Sequence, residues 1–117
     1  MVHEEKKITK IVEELTLYFF AIGGEEMNSQ IKREGDDVTI TFSSNYKNEY
    51  KHEIKKLEEY LNEPKNIGIE DIYWELVGSG DPGESSQLLL IGMMIDSHEI
   101  KKSNEHIEII MHRKMVG

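Results

Sequence analysis

The chain lacks cysteine altogether and has only two prolines and one tryptophan among its 117 residues. The absence of cysteine excludes disulfide bonds, thiol catalysis and cysteine-rich zinc sites, and it fits a reducing compartment. A chain of this length buries roughly two-thirds of the surface that its unfolded form exposes, so it can build a core without cross-links. We therefore expect a single domain over residues 1–117.

Basic residues and long apolar runs are also scarce. The 14 lysines and arginines face 23 acidic residues, which gives a formal net charge of -9. Such a surface repels phosphate groups, so neither nucleic acid nor an anionic membrane is an expected partner. The longest apolar runs, residues 17–22 and 88–95, are too short for a spanning helix, and no signal peptide follows the charged first residues. These features predict a cytoplasmic protein.

Apolar periodicity predicts a helix near the start of the chain. Seven apolar residues between Ile8 and Ile22 follow helical spacing, and Gly23-Gly24 provides a stop. Leu17 and Phe20 fall off this stripe and widen the apolar surface of the helix beyond what one sheet contact needs.

Two strands and a second helix are predicted next. Period-two alternation over residues 27–32 and 38–43 indicates strands with one buried face each, joined by a hairpin turn at 34–37. The first of these strands is expected to bury Met27, Ser29 and Ile31. Apolar spacing over 46–62, closed by Pro64, predicts the second helix.

The last third of the chain allows more than one interpretation. Residues 69–77 favour a short helix, with a strand as the alternative, and a loop follows from Gly78 to Ser86. Residues 87–96 are apolar at odd-numbered and at even-numbered positions, which predicts a central strand covered on both faces. A polar connection over 96–104 would then lead to a last strand that ends near Arg113.

Together these elements predict an α+β fold in the order α-β-β-α-(α)-β-β. Two local hairpins favour a four-stranded, mostly antiparallel sheet, with two or three helices on one face.

One segment matches a phosphate-binding motif letter by letter. Gly78-Ser79-Gly80-Asp81-Pro82-Gly83 has the spacing G-x-G-x-x-G, but that motif works only between a strand and the N-terminus of a helix. In the predicted order a strand follows the glycines. Asp81 and Glu84 would repel phosphate and Pro82 has no amide donor, so a surface loop is the favoured interpretation.

Other catalytic or metal-binding patterns are weak. No serine lies in a G-x-S-x-G elbow, and paired carboxylates are expected by chance in so acidic a chain. A metal site that combines Asp96, His98 and His106 is conceivable, but solvated histidines on the open face of the sheet are favoured. We assign no catalytic, cofactor-binding or metal-binding residue and expect no cofactor.

Residues 13–23, EELTLYFFAIG, followed by two strands, resemble the N-box helix and hairpin of the GHKL (histidine-kinase-like) ATPases, which include the anti-sigma-factor kinases. The later helix and its two following strands also suit that fold. The resemblance implies the family's sheet architecture without its chemistry. Tyr18 stands where the family has its magnesium-binding asparagine, SSNYK at 43–47 replaces D-x-G-x-G, and no glycine-rich lid precedes the second helix.

The leading hypothesis is a non-catalytic protein-interaction or regulatory module, with self-association as one form of the interaction. Its expected partner contacts are Leu17, Phe20 and Trp74, because surplus apolar surface and a half-exposed tryptophan can anchor a partner. Trp74 could equally cover an open edge of the core. One alternative is a small-molecule-binding protein or enzyme with a site near the glycine loop, lined by Tyr73, Trp74 and Asp81. Another is a degenerate GHKL-like regulator that does not bind ATP.

Overall fold

A computed structural model of the protein describes residues 4–62 and 85–115. The helices are α1 (Glu4–Ala21), α2 (Lys51–Leu61, preceded by a 3-10 turn at Asn48–Tyr50) and α3 (Ser85–Met94), and the strands are β1 (Met27–Glu34), β2 (Asp37–Asn45), β3 (Ser97–Ser103) and β4 (His106–Lys114). The strands form one antiparallel sheet in the order β1-β2-β4-β3. The predicted fold class and element order are confirmed.

The core lies between the helices and one face of the sheet. Alternate residues of the two central strands are buried there: Val38, Ile40 and Phe42 of β2, and Ile107, Ile109 and Met111 of β4. The helices contribute apolar residues at helical spacing to the same cluster, among them Ile11, Leu15 and Phe19 of α1 and Ile54, Leu57 and Leu61 of α2. The opposite face of the sheet carries no helix among the described residues.

The predicted central strand over residues 87–96 is wrong, because this run forms α3. The helix packs against both α1 and α2, and Leu88, Ile91 and Met94 are buried at a spacing of three residues. A run that is apolar at odd and even positions suits a helix covered on several sides as well as a strand covered on both faces. Periodicity therefore cannot distinguish the helix from the strand. The apolar surface of these three residues is therefore covered within the chain and is no argument for a partner.

The polar connection predicted over residues 96–104 is also wrong, because Ser97–Ser103 is β3, an edge strand paired only with β4 among the described strands. An edge strand exposes most of its surface to water, so one half-buried apolar residue, Ile100 opposite Ile109, is enough to place it. The last strand is confirmed at His106–Lys114.

Some of the predicted elements lie outside the described residues. The helix or strand over residues 69–77 and the part of the predicted loop over 78–84 lie outside them. The predicted loop is wrong at Ser85 and Ser86, which begin α3, so a helix and not the expected strand comes after the glycine segment. No helix within 4–62 and 85–115 is long and apolar enough to cross a membrane.

Candidate interaction face

The described helices leave the inner side of β1 largely exposed. The register places Ile31 opposite Ile40 and Ser29 opposite Phe42, so these residues point to the helix side of the sheet. Ile40 is fully buried, whereas Ile31 is 47% exposed and Ser29 is exposed. The cause is the position of α1, which packs over β2. The expected burial of Ser29 and Ile31 is therefore wrong, and only Met27 is half-buried.

An apolar groove runs between α1 and this side of β1. It has a volume of about 180 Å³ and is lined by Glu5, Ile8, Thr9, Ile31, Arg33, Val38 and Met115. Arg33 Nη1 lies 3.8 Å from Glu5 Oε2 across it, and both side chains are exposed. We call this groove, together with the inner side of β1, the β1 face.

Phe20 adds a second exposed apolar side chain near the β1 face. At 62% exposure it is, with Ile31, one of the two large apolar side chains that the described part of the chain leaves exposed. Phe20 lies on the helical stripe of Thr9 and Thr16, about 16 Å from Thr9 along the axis, so it lies at the rim of the same side of α1. Leu17, the other expected contact on this helix, is half-buried.

The outer edge of β1 has hydrogen-bonding groups that point away from the sheet. Gly35, with φ of 62°, is the first central residue of a two-residue turn between Glu34 and Asp37, which is the type II′ geometry. The closing pair of such a turn is hydrogen-bonded, and the pattern then alternates along the strand. The N–H and C=O groups of Ser29, Ile31 and Arg33 therefore point outward.

A buried ion pair holds α1 over the end of β4 and so builds one wall of the groove. Arg113 Nη2 donates to both carboxylate oxygens of Glu4, at 3.0 and 2.8 Å, and Nη1 donates to the Met94 carbonyl. Lys7 Nζ lies 3.6 Å from Glu4 Oε2. Because Arg113 is opposite Val38 in the register, this cluster lies directly behind the groove.

Two further polar contacts involve α1: one joins successive turns of the helix, and the other joins α1 to α2. Lys10 Nζ lies 3.0 Å from the buried Glu14 carboxylate. Burial lowers the pKa of Lys10, but hydrogen bonds and charge from Glu14 and Glu13 outweigh it, so the pKa is raised. The Tyr18 hydroxyl donates to the Glu53 carbonyl at 2.7 Å and ties α1 to α2. These contacts stabilise the fold and form no catalytic arrangement.

A cationic recess lies on the other side of the molecule, between α2 and β3. It has a volume of about 640 Å³ and is lined by Tyr46, Lys51, His52, Ile54, Lys55, Glu58 and Lys102. Lys102 Nζ donates to Glu58 Oε1 at 2.7 Å, and this is the one carboxylate in the lining. Three lysines thus gather in one place on a chain whose net charge is strongly negative.

The remaining predicted site residues are dispersed or undescribed. Tyr73, Trp74 and Asp81 lie outside the described residues. The register puts His98 opposite Met111 and His106 opposite Ser103, at opposite ends of the β3–β4 pair, so Asp96, His98 and His106 cannot share a metal ion. No group of three potential metal ligands occurs within the described part of the chain.

Comparison of the chain with protein-family models, with curated proteins and with solved structures found no match in any of the three.

Proposed function

We propose that the protein is a non-catalytic protein-interaction or regulatory module that binds its partner through the β1 face. The observation that carries the proposal is the exposure of Ile31 on the helix side of the sheet, beside an apolar groove and a strand edge to which no other described strand is paired. An apolar patch rimmed by charged residues is typical of a protein-binding surface. An unpaired edge adds main-chain hydrogen bonds that a partner strand can complete.

The chemistry of the described residues supports a binding role over a catalytic one. The buried charged groups pair with one another, as Glu4 does with Arg113 and Lys10 with Glu14. The β1 face offers apolar area, one exposed ion pair and backbone groups. Such a set recognises another protein surface. Trp74 remains a predicted partner contact, as does the half-buried Leu17.

A photo-crosslinking residue placed at position 31 tests this proposal in cells that make the protein. The matched control carries the same residue in place of Glu99, which is exposed on the opposite face of the sheet. We expect an adduct of defined mass at position 31 and none at position 99. An absence of adducts at position 31, or the same adducts at both positions, would refute the β1 face as the binding surface.

The cationic recess supports a second candidate function, the binding of a small multivalent anion. Lys51 and Lys55 are one helical turn apart on α2, and the fold brings Lys102 of β3 beside them. Tyr46, with 8% exposure, supplies an aromatic wall. This site differs in place and chemistry from the one expected near the glycine loop.

A thermal-shift series separates the two candidates, since a ligand that binds only the folded state raises Tm by mass action. Inorganic pyrophosphate, ATP and simple divalent cations serve as probes, each with the wild type and with the Lys51→Ala/Lys55→Ala double variant. The interaction module predicts no saturable rise in Tm. A rise with pyrophosphate that the double variant loses would favour the anion-binding function.

A further inference from the structure

We propose that the partner of the β1 face is a second copy of the chain, which pairs its own β1 antiparallel with the first so that Ile31 lies opposite Ile31. The two sheets then join into one of eight strands related by a two-fold axis. This inference rests on the proposed function and specifies the occupant of the same surface.

The alternation of side chains restricts the registers that such a pairing can use. In a continuous sheet, residues opposite each other point to the same face, so odd-numbered residues of β1 must pair with odd-numbered residues of the copy. The outward N–H and C=O groups also belong to the odd-numbered residues, as the Gly35 turn dictates. Both requirements are met when the numbers of two residues that lie opposite each other, one in each copy, add up to an even number.

The pairing of Ile31 then selects one register. Two even-sum registers pair seven of the eight β1 residues, with sums of 60 and 62. A sum of 60 centres the pairing on Gln30 and leaves Ile31 opposite Ser29. Pairing Ile31 with its copy buries more apolar area than pairing it with serine.

A sum of 62 brings the two Ile31 side chains together. It places Asn28 opposite Glu34, Gln30 opposite Lys32 and Ser29 opposite Arg33, so that each charged side chain faces a neutral polar one. Ile31 packs against Ile31 at the two-fold axis, on the helix side of the joined sheet. The self-complementary sequence MNSQIKRE thus favours this register over its neighbour.

The same geometry closes the groove. α1 lies over β2, and three strand spacings separate β2 of one copy from β2 of the other, which is about 14 Å. A helix with its side chains is about 10–12 Å across, so the two α1 helices come close above the Ile31 pair. The exposed apolar surface of Ile31 is then removed from water in both copies.

Disulfide trapping tests the register directly, because the chain has no cysteine of its own. In Ile31→Cys the two Cα atoms would lie about 5.5 Å apart, within disulfide range. Mild oxidation should convert most of this variant to a covalent dimer. Asn28→Cys is the matched control: its two copies would be about 20 Å apart along the strands, and it should stay monomeric. Trapping of Gln30→Cys in preference to Ile31→Cys would contradict the register.

Light scattering tests self-association without cross-links. The wild type should show a concentration-dependent rise in mass toward a dimer. Ile31→Lys, which places two like charges at the axis, should weaken that dimer more than about tenfold. Circular dichroism should show an unchanged fold, because the side chain is exposed. A wild type that stays monomeric at millimolar concentration, together with failure of Ile31→Cys to cross-link, would overturn self-pairing. In-cell adducts of another mass at position 31 would still support the proposed function.

Discussion

Arg113 is the largest fully buried side chain among the described residues, and its charge is paired with a carboxylate inside the core. Nε and Nη2 donate to Glu4, and Nη1 donates to the last turn of α3 through the Met94 carbonyl. A buried ion pair adds little net stability over an apolar pair, but loss of one partner is costly because the other charge stays buried. Arg113 therefore fixes where α1 begins relative to the sheet.

Substitution Arg113→Met should lower the free energy of unfolding by about 3 kcal/mol, since Glu4 would lose its bidentate partner while remaining buried. Urea denaturation at pH 7 measures the loss. Arg113→Lys is the control: it keeps the charge without the bidentate geometry and should lose about 1–2 kcal/mol. If Arg113→Met lost less than the lysine variant, the pair would not be what positions α1.

Tyr18 makes a pH-dependent contribution to the stability of the fold. Burial, and then the charge and hydrogen bond of the Glu53 carboxylate, raise the pKa of Tyr18 well above its usual value. Below about pH 10 the hydroxyl keeps its proton in both the folded and unfolded states. Above that pH the unfolded state releases the proton while the folded state holds it, so stability falls as the pH rises.

The variant Tyr18→Phe separates the contribution of the Tyr18 hydrogen bond from that of its titration. At pH 7 it should lose about 1 kcal/mol of stability, because the hydrogen bond to the Glu53 carbonyl is gone. Urea unfolding at pH 7 and near pH 11 should show the wild type losing more stability with pH than the variant. A constant difference between the two proteins across this range would rule out Tyr18 as the group responsible.

At the scale of elements, the close approach of α1 to β2 depends on a glycine. A Cβ at Gly24 would lie 2.8 Å from the Phe19 carbonyl oxygen and 2.8 Å from Ser44 Oγ. The Gly24 N–H donates to that same Phe19 carbonyl at 2.7 Å and so ends the helix. This junction places α1 over β2 rather than over β1.

Gly24→Ala should therefore cost about 2 kcal/mol through overpacking at this junction. Glu26→Ala is the control: Glu26 lies in the same connection between α1 and β1, and its side chain is exposed. Thermal and urea unfolding of the two variants should differ clearly, with Glu26→Ala close to the wild type. Equal losses would mean that the α1–β2 approach can relax around a methyl group.

At the scale of the whole molecule, the charge of -9 opposes self-association, because two copies repel each other over long range. β1 itself carries Lys32 and Arg33 against Glu34, so the strand is locally basic. In the register centred on Ile31, no two like charges of β1 lie directly opposite each other, so the repulsion that remains acts over long range. Salt screens this repulsion between charges that are farther apart than the Debye length, which is about 10 Å at 0.1 M and about 3 Å at 1 M.

The dimer should consequently tighten with salt. We expect its Kd, measured by sedimentation or light scattering, to fall several-fold between 0.05 and 0.5 M sodium chloride. Ile31→Lys should remain much weaker at every salt concentration. A Kd that rises with salt would instead indicate that ion pairs across the interface hold the copies together.

The sequence by itself determined the elements whose pattern is local. The apolar stripe of α1, the alternation of β2 and the Gly35 turn follow from periods of 3.6 and 2 residues, and together they predict an antiparallel α+β sheet. It also determined the class of chemistry that is absent, since no cysteine is available for thiol chemistry, a disulfide or a thiolate metal ligand.

Only the tertiary structure decided which surfaces are covered. Residues 88–94 are apolar throughout, and packing between α1 and α2 made them a helix. Ile31 has the same strand parity as the buried Ile40 opposite it, yet it is exposed because α1 lies over the neighbouring strand. Lys102 joins Lys51 and Lys55 because β3 folds back beside α2. Burial and charge clustering depend on neighbours distant in sequence, and a local period carries no information about them.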